Sequence, residues 1–119
     1  MLSGINAKVV EVQAKLAKAG YPKIPIEVLV RDLGPRIAGR ALYNNRTIII
    51  SEAYFKQFPD TMLNETVPHE VCHQYVAIYF PYAKQAHGPE FRALMRTLGL
   101  QGSTYHNMQL KGEIGRAHV

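Results

Sequence analysis

Apolar residues near the start of the chain recur every three or four positions, and those further along form shorter runs. The first pattern predicts an amphipathic helix with lysines on its solvated face, and its apolar positions are Ile5, Val9, Val12 and Leu16. Gly20 and Pro22 are expected to close this helix. The partly alternating run over residues 26–30 predicts a strand.

Two neighbouring segments predict a β-hairpin. We expect strands over Ala38–Tyr43 and Arg46–Ser51. Asn44-Asn45 lies between them, and because asparagine tolerates a positive φ, this pair suits a tight turn. Ser51 is expected to cap a short helix that ends near Gln57.

A long apolar stretch around residues 63–80 predicts a helix that is apolar on most sides and therefore buried. Pro59-Asp60 is expected to break the chain before it. Pro68 leaves two alternatives open, since the helix either begins near Asn64 or is kinked at the proline. Gly88-Pro89 predicts a further helix, because proline is favoured at the first helical position. The expected fold is α+β, with an N-terminal helix, a three-stranded sheet that includes the hairpin, the buried helix and a following helix.

The buried helix carries His69-Glu70-Val71-Cys72-His73, which is an H-E-x-x-H motif. Residues four apart share one face of a helix, so His69 and His73 can present two imidazoles to one metal ion. Two neutral nitrogen donors beside a carboxylate suit Zn²⁺ that keeps an open position for water. A buried Glu70 without a metal ion would be costly, which favours a metal site over a chance match. The expected role of Glu70 is proton transfer rather than ligation.

A third protein ligand is expected, because catalytic zinc usually has three of them and a water. His87 and Glu90 are the candidates that follow the motif. Glu90 would lie in the first turn of the last helix, where the helix dipole favours a carboxylate anyway, so we assign His87 as the ligand. A metzincin motif is excluded, since Val76 and Tyr79 stand where it has glycine and its third histidine.

These motifs resemble those of the SprT family of zinc metallopeptidases, which includes the Spartan-type proteases. The similar segments occur in the family's order: Ala38–Ala41 and Thr47–Ser51 of the hairpin, Val67–His73, His87–Phe91 and Tyr105–Leu110. Together they span roughly Ile26 to Leu110. One departure is Ser51, where the family often has Asn, and both residues cap helices well.

The resemblance implies a small zincin-type domain over residues 1–113, with Zn²⁺ as cofactor and a protein or peptide as substrate. It implies hydrolysis of peptide bonds by a metal-activated water with Glu70 as general base. Relatives often continue into a Cys-rich zinc ribbon, which is absent here, so the chain is expected to be truncated. Residues 114–119 match one reading frame of a common sequencing adapter and are expected not to be native. His118 is therefore not counted as a ligand.

Composition indicates one small domain. The chain has 119 residues, and 47% of them are hydrophobic, which suffices for a single core. No apolar run is long enough for a transmembrane helix and no signal peptide is evident, so we expect a cytoplasmic monomer. The single Cys72 cannot form an internal disulfide and is expected to be a buried apolar residue rather than a reactive thiol.

The net charge of +5 results from 14 basic and 9 acidic residues. Arg31, Arg36, Arg40 and Arg46 concentrate around the hairpin, where Asp32 is the local acidic residue. This group is either a solvated basic face or an electrostatic footprint for DNA, on which Spartan-type relatives digest proteins. No base-reading motif decides between the two interpretations.

Two other functions stay open at this point. One is a nucleic-acid-binding module with a structural zinc, against which Glu70 argues, because such sites have four protein ligands and no use for an adjacent carboxylate. The other is a metal-dependent hydrolase of a non-peptide amide, which the motif does not exclude. The side chain that assists the oxyanion also stays open among Tyr82, Tyr105 and His106.

Overall fold

The computed structural model describes residues 1–101, 108 and 110 of the chain. Its strands are β1 (Glu27–Arg31), β2 (Gly39–Leu42) and β3 (Thr47–Ser51). Its α-helices are α1 (Leu2–Lys18), α2 (Glu52–Gln57), α3 (Pro59–Thr61), α4 (Val67–Tyr79) and α5 (Pro89–Thr97). Helices and a three-stranded sheet in one small unit confirm the expected α+β class.

The central strand of the sheet is β3, since the strand order is β1-β3-β2. It pairs in parallel with β1 and antiparallel with β2. Ile48 and Ile50 of β3 belong to the hydrophobic core and are fully buried. Within the described residues, β2 is therefore an edge strand, with a strand partner on one side only. α4 packs against both strands of the hairpin.

The hairpin loop differs from the expected tight turn. Four residues, 43–46, join β2 to β3, and the positive φ of 52° falls on Arg46 rather than on Asn44-Asn45. The Arg46 guanidinium Nη1 donates to the Tyr43 carbonyl at 2.8 Å, and the Arg46 carbonyl accepts from the Glu27 amide at 2.9 Å. These two bonds fix the loop, so the prediction of a two-residue turn at Asn44-Asn45 is wrong.

The chain enters α4 through a helical stretch that begins at Pro59. Pro59 opens α3 instead of breaking the chain, because proline is well tolerated in a first helical turn. A π-helical turn over Met62–Thr66 then leads into α4, and in such a turn amides bond five residues back. It lies just before Pro68, which has no N–H to continue the α-helical bonding. The predicted helix start near Asn64 is therefore wrong. The break in α-helical hydrogen bonding next to Pro68 takes the form of the π-helical turn.

The apolar face of α1 packs against α4 and β1, and the residues that the helical spacing predicts for this face are buried. Gln13 of α1 joins the elements, since its Oε1 accepts from the Ile24 amide at 2.8 Å and from the Tyr75 hydroxyl of α4 at 2.6 Å. Both bonds satisfy a side chain that would otherwise be costly to bury. They fix α4 relative to the N-terminal helix.

Two expected helix starts are confirmed. Ser51 caps α2, because its hydroxyl accepts from the Tyr54 amide at 3.2 Å. α2 then ends at Gln57, as predicted. Pro89 opens α5 directly after Gly88.

The longest helix in the described part of the chain is α1, with 17 residues. Within residues 1–101, 108 and 110, no helix combines the length and the apolar character that crossing a bilayer requires.

Candidate metal centre

Three imidazole side chains converge beside α4. His69 Nε2 and His73 Nε2 lie 3.1 Å apart, and His87 Nε2 lies 3.2 Å from the first and 3.0 Å from the second. The three nitrogens thus form a nearly equilateral triangle. Such a group of donors could hold one metal ion.

Local structure explains how these side chains meet. His69 and His73 are one turn apart on α4, so both project from the same face. His87 lies between α4 and α5, directly before Gly88, which precedes the first turn of α5. A Cβ at Gly88 would come within 3.2 Å of the Gln85 carbonyl. The missing side chain allows the backbone to pass close to the Gln85 carbonyl directly after His87.

Phe91 packs against all three imidazoles. Its ring is fully buried on α5 and is stacked on the His73 ring, with the centroids 4.6 Å apart. The His69 and His87 rings meet it more steeply, at 4.8 and 5.0 Å. Such packing limits the orientations of the imidazoles. Sequence reasoning gave Phe91 no role, and its place in the first turn of the helix after His87 is the signal that was available.

Glu70 lies next to the histidine cluster and is enclosed by protein. Its side chain is 2% exposed, and among the described residues its Oε2 has no hydrogen-bond partner. Burial raises the pKa of Glu70 to about 8, because removing a carboxylate from water disfavours its charged form. A cation held by the neighbouring histidines would oppose this shift. The buried oxygen without a partner is therefore a second sign, independent of the imidazole geometry, that a positive charge belongs here.

Gly39 of β2 makes room for Glu70. A Cβ at position 39 would lie 3.0 Å from Glu70 Oε2 and 3.0 Å from Thr66 Cγ2, closer than side chains normally pack. Gly39 is held in the sheet opposite Ile50, so β2 cannot easily withdraw. The absent side chain lets the strand pass directly against the carboxylate.

Gln74 connects α4 to the hairpin. It is fully buried, and its Nε2 donates to the carbonyls of Leu42 at 3.1 Å and Thr47 at 2.9 Å. These two residues face each other across β2 and β3 next to the hairpin loop. Gln74 therefore holds the end of the hairpin beside the helix that carries the histidines. No sequence pattern indicated this role, because the partners are backbone carbonyls 32 and 27 residues away.

Other residues considered from the sequence lie apart from the cluster. In the described part of the chain, Glu90 is not among the grouped donors and occupies the first turn of α5. Tyr82 is 90% exposed, which does not suit a role beside the buried histidines. Tyr105, His106 and the segment 114–119 lie outside the described residues.

Two groups near Glu70 have raised pKa values. Burial, together with the charge of Glu70, raises the pKa of the Cys72 thiol well above its usual range, so this cysteine is an inert buried residue. The same two causes raise the pKa of Tyr43, the first residue of the hairpin loop. Tyr43 lines a cavity together with His73, and sequence reasoning did not consider it.

Comparisons with known proteins agree on one family. The SprT-like family model matches residues 9–111. The chain is also similar to Protein SprT of Vibrio parahaemolyticus serotype O3:K6, with 28% identity over 104 residues that cover 85% of this chain and 62% of the relative. The chain thus spans about three fifths of the length of that relative. No solved structure shows a significant match.

Proposed function

We propose that this chain, which belongs to the SprT-like family, is a zinc-dependent metallopeptidase. The observation that carries the proposal is the convergence of the His69, His73 and His87 nitrogens beside the buried carboxylate of Glu70. Three neutral nitrogen donors leave a fourth position free, and an adjacent carboxylate that is not a ligand can move a proton. This combination suits hydrolysis better than a purely structural metal.

The donor geometry fits zinc. Zn–N bonds of about 2.0–2.1 Å at tetrahedral angles separate two ligand nitrogens by about 3.3 Å. The observed separations of 3.0–3.2 Å are close to this value. Imidazole donors are common zinc ligands, whereas magnesium and calcium prefer oxygen. His69, His73 and His87 would hold the ion.

Each residue of the site has a task in this reaction. When bound, zinc supplies an activated water and polarises the scissile carbonyl. Glu70 accepts the proton of the attacking water and then delivers it to the leaving amine nitrogen. Phe91 keeps the imidazoles in place, and Gln74 keeps the hairpin beside them. The burial of Glu70 excludes bulk water, so the carboxylate exchanges protons with the reactants rather than with solvent.

The edge strand β2 is the proposed binding place for the substrate backbone. Its one side pairs with β3, and its other side has no strand partner in the described part of the chain. A peptide in extended conformation can add to such an edge through main-chain hydrogen bonds. Because Gly39 of this strand touches Glu70, a peptide bound there runs close to the proposed site of hydrolysis.

Casein hydrolysis tests the proposal. Zinc-loaded protein is expected to cut casein into fragments, and a chelator should stop the reaction until zinc is restored. Incubation with and without single-stranded DNA shows whether DNA is required. Absence of fragments from casein and from a DNA-bound basic protein, in the presence of bound zinc, would argue for a non-peptide amide as the substrate.

Gly39→Ala is expected to lower peptide hydrolysis by about tenfold or more, because the added methyl group displaces the Glu70 carboxylate and small misplacements of catalytic groups are costly. Zinc content should stay unchanged, since the atoms nearest to the added group belong to Glu70 and Thr66 and not to a histidine. The measurement is kcat/KM for a reporter peptide together with metal content.

Gly4→Ala is the matched control for this variant. A Cβ at Gly4 meets nothing within 4 Å, so hydrolysis should equal that of the wild type. Equal hydrolysis by Gly39→Ala and Gly4→Ala would show that the close approach of β2 to Glu70 does not matter for the reaction.

DNA binding is the second part of the proposal. Arg31, Arg36 and Arg40 are exposed, and Arg40 pairs with Ile49 on the face of the sheet opposite the core residues Ile48 and Ile50. None of these guanidinium groups lies within ion-pair distance of a carboxylate in the described part of the chain. Exposed arginines that are not neutralised by carboxylates favour contacts with phosphates.

Replacement of Arg31, Arg36 and Arg40 by glutamine should flatten the salt dependence of binding to single-stranded DNA. Each lost phosphate contact removes about 0.7 from the slope of log K against log salt, so the slope should fall by about 2. Replacing the exposed Lys15, Lys18 and Lys23 by glutamine removes the same charge elsewhere and should leave the slope nearly unchanged. Equal slopes for both triple variants would leave these arginines as a solvated face.

A further inference from the structure

A cavity of about 290 Å³ opens beside the histidine cluster. His73 forms part of its wall, so the cavity adjoins the histidine cluster. Its other sides belong to the hairpin loop, the C-terminal half of α4 and the segment that leads toward His87. The mechanism described above does not use this space.

Most of the residues that line the cavity have apolar or aromatic side chains. The side chains that give it this character are Tyr43, Val76, Ala77, Phe80, Ala83 and Ala86. No carboxylate is among its lining residues in the described part of the chain, and its cationic side chain, Lys84, is exposed. The lining residues therefore offer a basic side chain no carboxylate with which to pair.

We propose that this cavity binds a large apolar side chain of the peptide substrate, such as phenylalanine, leucine or tryptophan, at a residue that adjoins the scissile bond. The assignment rests on the proposed function, because the occupant is taken to be a peptide. The bound side chain is placed next to the scissile bond because His73 belongs to both the cavity wall and the metal centre. A small side chain would leave most of the volume without contacts, so larger apolar residues are favoured.

The edge strand leads a substrate into this cavity. β2 passes Glu70 at Gly39 and ends at Leu42, and the next residue, Tyr43, lies on the cavity wall. A peptide that pairs along β2 therefore passes Glu70 and continues toward the cavity. Since successive side chains point to opposite faces of a strand, alternate side chains of this peptide can face the cavity.

The small side chain of Ala77 leaves space in the cavity for a large occupant. Ala77 follows His73 by four residues on α4, so both lie on the same helical face. A leucine at this position would project into the cavity and fill part of it. Ala83 lines the same space from the segment after α4, and it offers a second position for the same substitution.

Peptides that differ only at the residues adjoining the cleaved bond test the inference. With phenylalanine or leucine there, the wild type should show a kcat/KM at least about tenfold higher than with alanine or lysine. Ala77→Leu and Ala83→Leu should each reduce this preference by about tenfold, while zinc content changes little. Ala93→Leu, at an exposed position of α5, is the matched control and should retain the preference.

Fluorescence gives a readout that does not depend on turnover. The chain contains no tryptophan, so the emission of a tryptophan-containing peptide reports the peptide alone. With the zinc-loaded Glu70→Gln variant, we expect this emission to shift to shorter wavelength as the indole leaves water. Adding Ala77→Leu or Ala83→Leu should abolish the shift, and adding Ala93→Leu should not.

The two readouts separate the two proposals. If the wild type hydrolyses all the peptides at similar rates and the emission does not shift, the cavity assignment is overturned while the peptidase proposal stands. If the emission shifts in the expected way but no peptide is hydrolysed, the peptidase proposal fails and the binding of an apolar side chain stands. Loss of preference in Ala93→Leu to the same extent as in Ala77→Leu would also overturn the cavity assignment.

Discussion

Glu70→Gln is expected to lower peptide hydrolysis by about 10²-fold or more, the scale of a lost general base, while the chain keeps its zinc. Glutamine has nearly the same shape as glutamate, so it should fit beside Gly39 without a clash. Its amide cannot accept the proton of the attacking water. Because the three histidine nitrogens hold the ion without Glu70, the metal site should survive the change.

Zinc content and hydrolysis have to be measured on the same preparations of wild type and Glu70→Gln. Glu27→Gln is a suitable control, since Glu27 is exposed at the start of β1 and its change removes the same charge. If Glu70→Gln loses zinc, Glu70 is a ligand and the site has to be redrawn. If Glu70→Gln cuts peptides as fast as the wild type does, Glu70 is not the general base.

His87→Ala is expected to lose most of the bound zinc, whereas Glu90→Ala should keep it. His87 contributes one of the three converging nitrogens, and its Nε2 lies 3.0 Å from that of His73. Removing His87 leaves two protein ligands, both from α4. Catalytic zinc sites normally have three protein ligands and structural sites have four. Glu90 is not part of the cluster in the described residues, so its loss should leave the donors intact.

Metal content after dialysis and the thermal unfolding midpoint with added zinc measure this difference. Zinc at about 100 times its dissociation constant stabilises a folded protein by about 2.7 kcal/mol, so wild type and Glu90→Ala should unfold at higher temperature when it is present. His87→Ala should show little of this stabilisation. Retention of zinc by His87→Ala together with its loss from Glu90→Ala would reverse the assignment of the third ligand.

The parts of the site that the sequence could predict depend on local geometry and on ligand chemistry. His69 and His73 share a helix face because they are four residues apart, and this holds wherever the helix packs. His87 could be selected because zinc needs a third donor and Gly88-Pro89 starts a new helix after it. The lysine-bearing face and the buried face of α1 followed from spacing in the same way.

The parts that the sequence could not predict depend on contacts between distant segments. Gly39 matters because β2 passes against Glu70, a residue on a later helix. Gln74 bonds to backbone carbonyls of the hairpin, which carry no residue-specific signal. Phe91 has a role only because α5 packs its ring on the three imidazoles.

The errors in the predicted fold occur where a local sequence signal is compatible with two structures. Proline can either end a helix or occupy its first turn. Pro59 occupies a first turn because the residues after it continue as a helical stretch into α4. Asn44-Asn45 suits a tight turn, but bonds from Arg46 to Tyr43 and from Glu27 to Arg46 stabilise a longer loop. In both cases tertiary context decides between local alternatives.

Zinc titration of the metal-free chain, with the rate of peptide hydrolysis as the readout, tests the central claim most directly. If His69, His73 and His87 form one catalytic zinc site, hydrolysis should rise linearly with added zinc and level off at one ion per chain. A chain that binds one zinc ion at these histidines and hydrolyses no peptide at any zinc content would contradict the account.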